Sequence, residues 1–393
     1  MLEPDTMAVF LSCTHPPWSE DEMKVQIVDT DGGFDKLESS WNALAENRSS
    51  SFFSTFDYVR TAWKHFHEPA DRLFLLVLHD GPSVAGIAPL YIRSQRTRGI
   101  AVRRIRFIST WEGDRPRILA TGSEEAAWRD IFSFLEREFR DWEILELAEQ
   151  PVEGPDGNGW SFLPRSGWHW ERSPGGVDQY VSLSGSWEEY LAKRDSGARK
   201  DWRRRTRRLS STPGGYAVER ISDPERIREA LSRFVVLERS GWKAEAGIGV
   251  AKDERHRVFY EDLLSLLAAK GQVVVYFLKS GGEDMASVIN FLQKDVIFGR
   301  HTTYSPAHTV HSPGILLQVE VIRIGFEKAY REFDFLTMKG DGASLAKSDW
   351  ANGRRETVDW TGYRVRGRLL PLVAAKRLKW LFGKDAAKTA GGH

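Results

Sequence analysis

The pattern of apolar and polar positions runs through one order of elements twice. Val25-Gln26-Ile27-Val28 opens the first pass as a short strand. Leu37, Trp41 and Leu44 recur at four- and three-residue spacing, which predicts a helix over about 34–47. A second helix covers about 55–67 and stops before Pro69. Leu73 to Leu78 is an apolar run of strand length, His79-Asp80-Gly81-Pro82 a hairpin turn, and Val84 to Tyr91 the returning strand. Residues 104–110 make a further strand, 124–140 a helix carrying Trp128, Phe132, Leu135 and Phe139, and Trp142 to Leu147 alternates like a strand.

The second pass begins with a strand at Tyr216–Ile221. Asp223 and Pro224 predict a capped helix to about Arg239. A helix over 253–269 ends at Gly271. Val273–Leu278, Ala286–Leu292 and 296–303 form three strands, with Ser280-Gly281-Gly282 as the first turn. Pro313 opens a helix to about Tyr330, and Glu332–Leu336 is the closing strand. Each copy therefore reads strand, two helices, three-strand meander, helix, strand. The alternative is an unrelated pair of α/β domains.

The expected organisation is a loose leader (1–22), a first domain (23–150), a linker that adds strands (151–185), a basic helix (186–210), a second domain (211–363) and a basic tail (364–393). The linker holds Trp168, Trp170 and the strand-like Gln179–Leu183, an aromatic content that a free tether lacks. Of 393 residues, 41% are apolar and 12% aromatic, which excludes a disordered chain. Lys and Arg number 56 against 55 acids, so whole-molecule attraction to nucleic acid or anionic lipid is not the theme. The single cysteine, Cys13, excludes an intrachain disulfide and a cysteine-rich metal site. No run approaches the ~20 apolar residues of a membrane-spanning helix, and the expected location is the cytoplasm.

The residues Phe52-Phe53-Ser54, Trp63, Ile87-Ala88-Pro89-Leu90, Glu238-Arg239-Ser240-Gly241-Trp242-Lys243, Tyr304-Ser305-Pro306, Ser312-Pro313-Gly314 and Phe333-Asp334-Phe335-Leu336 fall in an order worth naming. With Lys347, Trp350 and the basic helix after Trp187, they resemble a tandem GNAT acyltransferase fold over about 24–365. The resemblance is to the CelD-like branch, associated with cellulose biosynthesis, and at longer range to the Fem aminoacyl transferases. It implies two mixed, mostly antiparallel α/β sheets flanked by helices. It also implies acyl transfer from acyl-CoA, such as acetyl-CoA, to an amine or hydroxyl. The chain departs from the pattern at one point: Ser305 to Ser312, where a pyrophosphate-cradling turn is glycine-rich in the family, has no glycine.

Ser312, Pro313 and Gly314 open a helix whose positive dipole end suits a phosphate or carboxylate, or else simply cap it. Acyl transfer needs a base and an acid. His301 as base and Tyr304 as acid lie at the end of the fourth-strand candidate, with a half-buried strand histidine and a plug of the sheet end as alternatives. Asp334, a carboxylate on an apolar strand, is either a base with a raised pKa or one half of a salt bridge. Trp242 and Lys243 follow a helix end and could wall and hold an anionic substrate, or could be an ordinary helix terminus. Lys339 and Lys347 flank the glycine-rich Gly340-Asp341-Gly342, which fits a substrate contact but lacks the phosphate-loop pattern.

Arg199, Arg203 and Arg207 share a helical face that could grip a phosphorylated or glycan-linked substrate, lipid headgroups or RNA, or be a solvated surface. No nucleic-acid motif accompanies it, and no metal-ligand set is present. The basic, leucine-rich stretch 364–384 could lie on the inner face of a membrane or pack on the protein. The reading is an acyltransferase whose second half holds the site, with a small-molecule or glycan-linked acceptor in polysaccharide or envelope assembly. The alternatives are transfer from aminoacyl-tRNA and a non-catalytic scaffold.

Overall fold

The computed structural model describes residues 23–47, 52–97, 99–110, 115–338, 348–371, 373–374 and 376. The first half comprises β1 (Lys24–Val28), α1 (Asp31–Asp35), α2 (Glu38–Asn47), α3 (Phe56–Phe66), β2 (Arg72–Asp80), β3 (Ser83–Thr97), β4 (Ile100–Phe107), β5 (Leu119–Ala120), α4 (Glu124–Arg137) and β6 (Ile144–Pro151). A middle stretch gives β7 (Trp168–Ser182), α5 (Trp187–Ala192) and α6 (Ser196–Ser210). The second half follows with β8 (Tyr216–Ile221), α7 (Ile227–Arg239), α8 (Trp242–Glu245), α9 (Glu254–Ala269), β9 (Val273–Ser280), β10 (Glu283–Gln293), β11 (Val296–Tyr304), α10 (Pro313–Glu327), β12 (Glu332–Met338) and β13 (Gly353–Arg364). The order of elements is the doubled α/β order read from the sequence.

Two local expectations change. The stretch 34–47 breaks between α1 and α2, because Thr30 caps a short first helix by accepting from the Gly33 N–H. Asp223 caps nothing helical: it accepts from the Glu225 N–H at 2.8 Å and builds a turn, and α7 starts only at Ile227.

The strands form one sheet in the order β1-β2-β3-β4-β6-β13-β7-β12-β11-β10-β9-β8, with β5 on β3. Among the described residues, only β4–β6 and β11–β12 pair in parallel. The halves are joined by β13 and β7, paired antiparallel with each other, β13 also on β6 and β7 also on β12. Three consecutive antiparallel pairings make β6 and β12 antiparallel, as an approximate two-fold between the halves requires.

One face carries a single core shared by both halves. Leu75, Val77, Val275, Phe277, Ile289 and Phe298 meet Trp41, Tyr58, Phe234 and Phe259 there, under α2, α3, α7 and α9. Helices α3 and α9 cross between the halves, tied by Lys64–Asp262 at 2.6 Å and Lys270–Asp57 at 2.6 Å. On the opposite face each half has its own core, under α4 in the first and α10 in the second. At the centre, Trp168 and Trp170 stack at 5.0 Å and 5°. A Cβ on Gly362 of β13 would meet their rings at 2.6–2.8 Å, so only glycine fits between strand and indoles.

Candidate functional site

The parallel pairing in the second half is short. Strands β11 and β12 are matched only at Val296↔Glu332, Ile297↔Phe333 and Phe298↔Asp334. Beyond that point β11 continues along β10 to Tyr304, while β12 follows β7 to Met338. The two strands fork, and the β11 backbone past Phe298 loses its β12 partner. The first half forks in the same way, with β4 and β6 matched only from Arg104↔Ile144 to Arg106↔Glu146. Because β6 and β12 are antiparallel, the forks open at opposite ends of the sheet.

A bulge decides which side chains face which side of the second fork. The register against β10 jumps between Ile289↔His301 and Asn290↔Gly299, so Arg300 is an extra residue in β11. A bulge of this kind puts two consecutive side chains on one face. Arg300 and His301 both turn to the shared core, and the alternation after them is inverted. Thr302 and Tyr304 therefore face α10, where a Cβ on Gly314 would lie 3.4 Å from each. His301 and Tyr304 are on opposite faces of the sheet and do not form an acid–base pair across one pocket.

On the α10 face the helix begins at Ser312-Pro313-Gly314. Ser312 stands in the left-handed region (φ 45°), and its hydroxyl makes no capping bond. The Ile315 and Leu316 amides both turn back to the Ser312 carbonyl at 3.1 Å, and Pro313 has no N–H. The helix start thus offers the Gly314 N–H together with the dipole. The glycine-free turn is a short 3-10 helix, Pro306–His311. Helix α6 packs beside this corner. Burial, and then the positive charges of Arg208, His308 and Arg205, hold His311 below its ordinary pKa. Arg205 and Arg208 are thus the arginines that act on His311, next to Ser312 before the α10 start. Arg203 is exposed, and Arg199 is half-buried. Trp202 and Leu209 anchor α6 to the core beneath α10, which rotates Arg203 and Arg207 outward and Arg205 inward.

On the shared face a polar chain crosses between the halves. Arg300 donates through Nε to the Tyr260 hydroxyl at 3.2 Å and through Nη2 to Thr110 Oγ1 at 3.1 Å. Thr110 is also 2.8 Å from the Tyr58 hydroxyl. Tyr260 lies 2.5 Å from His301 Nε2. Guanidinium only donates, so the Tyr260 oxygen accepts from Arg300, and the same hydroxyl occupies His301 Nε2. Burial, followed by the charges of Arg300, Lys243, Lys252 and His256, drives the His301 pKa well below its ordinary value. A ring that resists protonation and whose Nε2 is occupied is a poor general base, and in this geometry it positions Tyr260.

Asp334, at the apex of the fork, is 1% exposed and ion-paired: Arg115 Nη2 is at 2.7 Å, Arg355 Nη1 at 3.4 Å, and the Leu336 amide donates to it. Of the two sequence alternatives the structure shows the salt bridge. Arg115 also holds Asp178 at 2.7 Å, tying the loop after β4 to β7 and β12. Lys243 is 3.8 Å from the buried Glu238, which also accepts from the Ala251 N–H. Trp242 begins α8, but its side chain, Lys339, Lys347 and the loop between them lie outside the described residues. Arg205, Arg208 and the Arg300–Tyr260 pair were not singled out by sequence. The signal for Arg205 was available, since Trp202 and Leu209 mark the buried side of α6.

Among the described residues no group of side chains could hold a metal ion, and no helix is long and apolar enough to cross a membrane. The near end of the tail packs on the first half, where Leu369 and Val373 join Val102, Ile144 and Tyr363. Lys376 bonds Glu171, and 377–393 lies outside the described residues.

Residues 196–347 match the family described as an acetyltransferase (GNAT) domain, the stretch that runs from α6 through the fork. The fold resembles that of FemX over 89% of this chain and 100% of that one, with a TM-score of 0.59 at 10% identity. A conserved protein of unknown function from Bacteroides thetaiotaomicron aligns over 87% of this chain and 100% of its own (TM-score 0.52, 10% identity). The C-terminal domain of a candidate lysylphosphatidylglycerol synthetase from Agrobacterium fabrum aligns over 88% and 96% (TM-score 0.52, 11% identity). No curated protein matches the chain by sequence. The match over 196–347 supports an acyltransferase, and the likeness to these solved structures is one of fold.

Proposed function

We propose that the second half moves an acyl group from an acyl-CoA thioester, with acetyl-CoA the simplest case, to an amine or hydroxyl. The observation that carries this is the corner where Gly314 opens α10 against Tyr304, with Arg205 and Arg208 alongside and the unpaired edge of β11 leading into the fork. Phosphates of the donor bind at the helix start and the two arginines. The pantetheine arm lies along β11 as an added strand, whose backbone N–H groups stabilise the oxyanion. The acceptor forms its bond to the carbonyl carbon as the C–S bond breaks. The proton lost by the acceptor balances the one the sulfur gains, and Tyr304, on the donor face, delivers it. The resemblance to the CelD-like branch supports a sugar amine or hydroxyl of polysaccharide or envelope assembly as acceptor.

Titration calorimetry with acetyl-CoA tests the donor. Binding should raise the melting temperature by linkage. Charge-assisted contacts are worth roughly 1.5–3 kcal/mol each, so Arg205→Ala with Arg208→Ala should weaken binding by about tenfold or more. No binding by any acyl-CoA would refute the proposal.

A second reading, transfer from an aminoacyl ester of tRNA, is favoured by the glycine-free turn and by the exposed Lys200, Arg203, Arg204 and Arg207 beside it. Charged-tRNA binding that depends on Arg203 and Arg207, with no response to acetyl-CoA, would select it.

A further inference from the structure

Strand β12 turns off the line of β11 at one residue. Leu336 stands in the left-handed region (φ 63°), two residues past Asp334, where the parallel pairing ends. The register against β7 moves from Asp334↔Tyr180 to Thr337↔Asp178, so β12 holds one more residue than β7 across that step. A bulge with a left-handed residue bends its strand and is ordinarily built on glycine, because a Cβ crowds that conformation. Leu336 is 4% exposed, with its side chain in the shared core. The core thus demands a side chain at a position whose backbone favours glycine, and the backbone has to be held there.

The Asp334 carboxylate supplies the hold. Its Oδ1 accepts from the Leu336 N–H at 2.7 Å, while its Oδ2 faces Arg115 Nη2 at 2.7 Å and Arg355 Nη1 at 3.4 Å. The two arginines fix the carboxyl group, which aims the other oxygen at the amide. The first half repeats the device with different residues. Glu149 of β6 is left-handed (φ 55°), three residues past the last parallel pair at Glu146, and its N–H donates to Asp359 Oδ1 at 2.7 Å. Strand β6 likewise gains a residue against β13, between Leu147 and Gln150. Strained backbone of this kind persists where the surroundings over-determine it, and it clusters at working sites. Both forks carry a carboxylate-held left-handed residue just past the parallel pairing, on unlike sequences, which ties the device to the fork.

We infer that Asp334 is a positioning residue: by holding Leu336 left-handed it turns β12 off the β11 edge and keeps the second fork open. Without that hold Leu336 relaxes to extended backbone, and β12 continues its pairing along β11 beyond Phe298. The edge on which the pantetheine arm is proposed to lie is then taken by the protein itself. That consequence for the donor rests on the acyl-CoA reading; the opening of the fork does not.

Two pairs of variants of the full chain separate the hold from the ion pair and from packing. Asp334→Asn keeps an oxygen for the Leu336 amide and loses the charge, whereas Asp334→Ala loses both. Leu336→Ile keeps the apolar volume but is β-branched, which the left-handed region disfavours most; Leu336→Gly loses the side chain and takes that backbone freely. Hydrogen exchange of segment 299–304, read by mass spectrometry without any ligand, should slow at least about threefold in Asp334→Ala and Leu336→Ile as β12 closes on it. It should stay near the wild-type rate in Asp334→Asn and Leu336→Gly. Calorimetry should show acetyl-CoA bound at least about tenfold more weakly by Asp334→Ala than by Asp334→Asn, and by Leu336→Ile than by Leu336→Gly. A purely ionic role predicts Asp334→Asn as poor as Asp334→Ala, and a purely packing role predicts Leu336→Gly as the poorer of its pair. Either of those outcomes, or exchange rates that do not separate, overturns the inference. Should one pair fail to fold by circular dichroism, the other decides. If the wild type binds no acetyl-CoA, the acyl-CoA reading falls and the exchange rates alone decide this inference. If the wild type binds acetyl-CoA while the exchange rates do not separate, only this inference falls.

Discussion

A neutral, buried histidine makes the protein's stability depend on pH in a way that one substitution can isolate. His301 is 9% exposed, and burial together with neighbouring cations holds its pKa well below 6.5. In the unfolded chain the same ring titrates near 6.5. Above that pH both states carry a neutral ring and the group is silent. As pH falls below it, the unfolded state takes up a proton that the folded state refuses, so folding loses stability. Between pH 7.5 and 5.5 the unfolded ring gains about 1.4 kcal/mol from protonation, and a folded ring that stays neutral gains none. His301→Gln keeps a hydrogen-bonding group for the Tyr260 hydroxyl and removes the titration.

The assay is urea unfolding of both proteins at pH 7.5, 6.5 and 5.5. Groups common to both cancel in the difference. The wild type should lose about 1.4 kcal/mol more than the variant across that range, with most of the extra loss below pH 6.5. Parallel curves would show that His301 is protonated in the folded state or is reached by water. Either result would undo the description of His301 as a neutral, buried residue that positions Tyr260.

Two further substitutions probe the joint between the halves. Gly362→Ala pushes a methyl group into the Trp168 and Trp170 rings and should cost roughly 1–3 kcal/mol, read as a lower urea midpoint; a neutral result would mean that the central strands can separate freely. Arg115→Met strips two carboxylates, each 1% exposed, of their nearest cation and should cost about 3–5 kcal/mol. A loss below about 1 kcal/mol in thermal or urea unfolding would show the Asp178–Arg115–Asp334 bridge to be ornamental.

The doubled order of elements was legible because the central strands of each half are buried on both faces and read as apolar runs, as in Val273–Leu278 and Leu73–Leu78. Strand β13 was not legible. Its charges suggest a loop, yet Arg355 is spent on Glu332 and Asp334, and Asp359 accepts from the Glu149 amide. Polar side chains in a central strand are satisfied by partners distant in sequence, and local pattern does not carry that information. In β7 the sequence Ser173-Pro174-Gly175-Gly176 looks like a turn, but a Cβ on Gly175 would sit 2.5 Å from Thr357 Oγ1. That glycine serves a close approach of strands. At the site, the sequence located the α10 start and the fork strands. It could not locate the extra residue in β11, because a bulge is a property of the pairing and not of one strand.

That extra residue organises the site. With unbroken alternation, Arg300, Thr302 and Tyr304 would all share the face of Phe298, and the corner at Gly314 would receive His301 and Thr303 instead. The bulge at Arg300 sends Thr302 and Tyr304 to α10 while keeping Arg300 and His301 in the shared core. The β11 edge past Phe298 consequently has a cationic corner with a phenol on one side and a polar network linking both halves on the other. A two-substrate reaction needs such an asymmetry, because two ligands approaching from the same side would compete for one volume. Deleting Thr303 should draw Tyr304 back one step along β11 and move it off the α10 face. The result expected is loss of acetyl-CoA binding in a protein that still folds. A folded deletion variant that binds acetyl-CoA as the wild type does would show that the donor corner does not depend on the facing that the bulge sets.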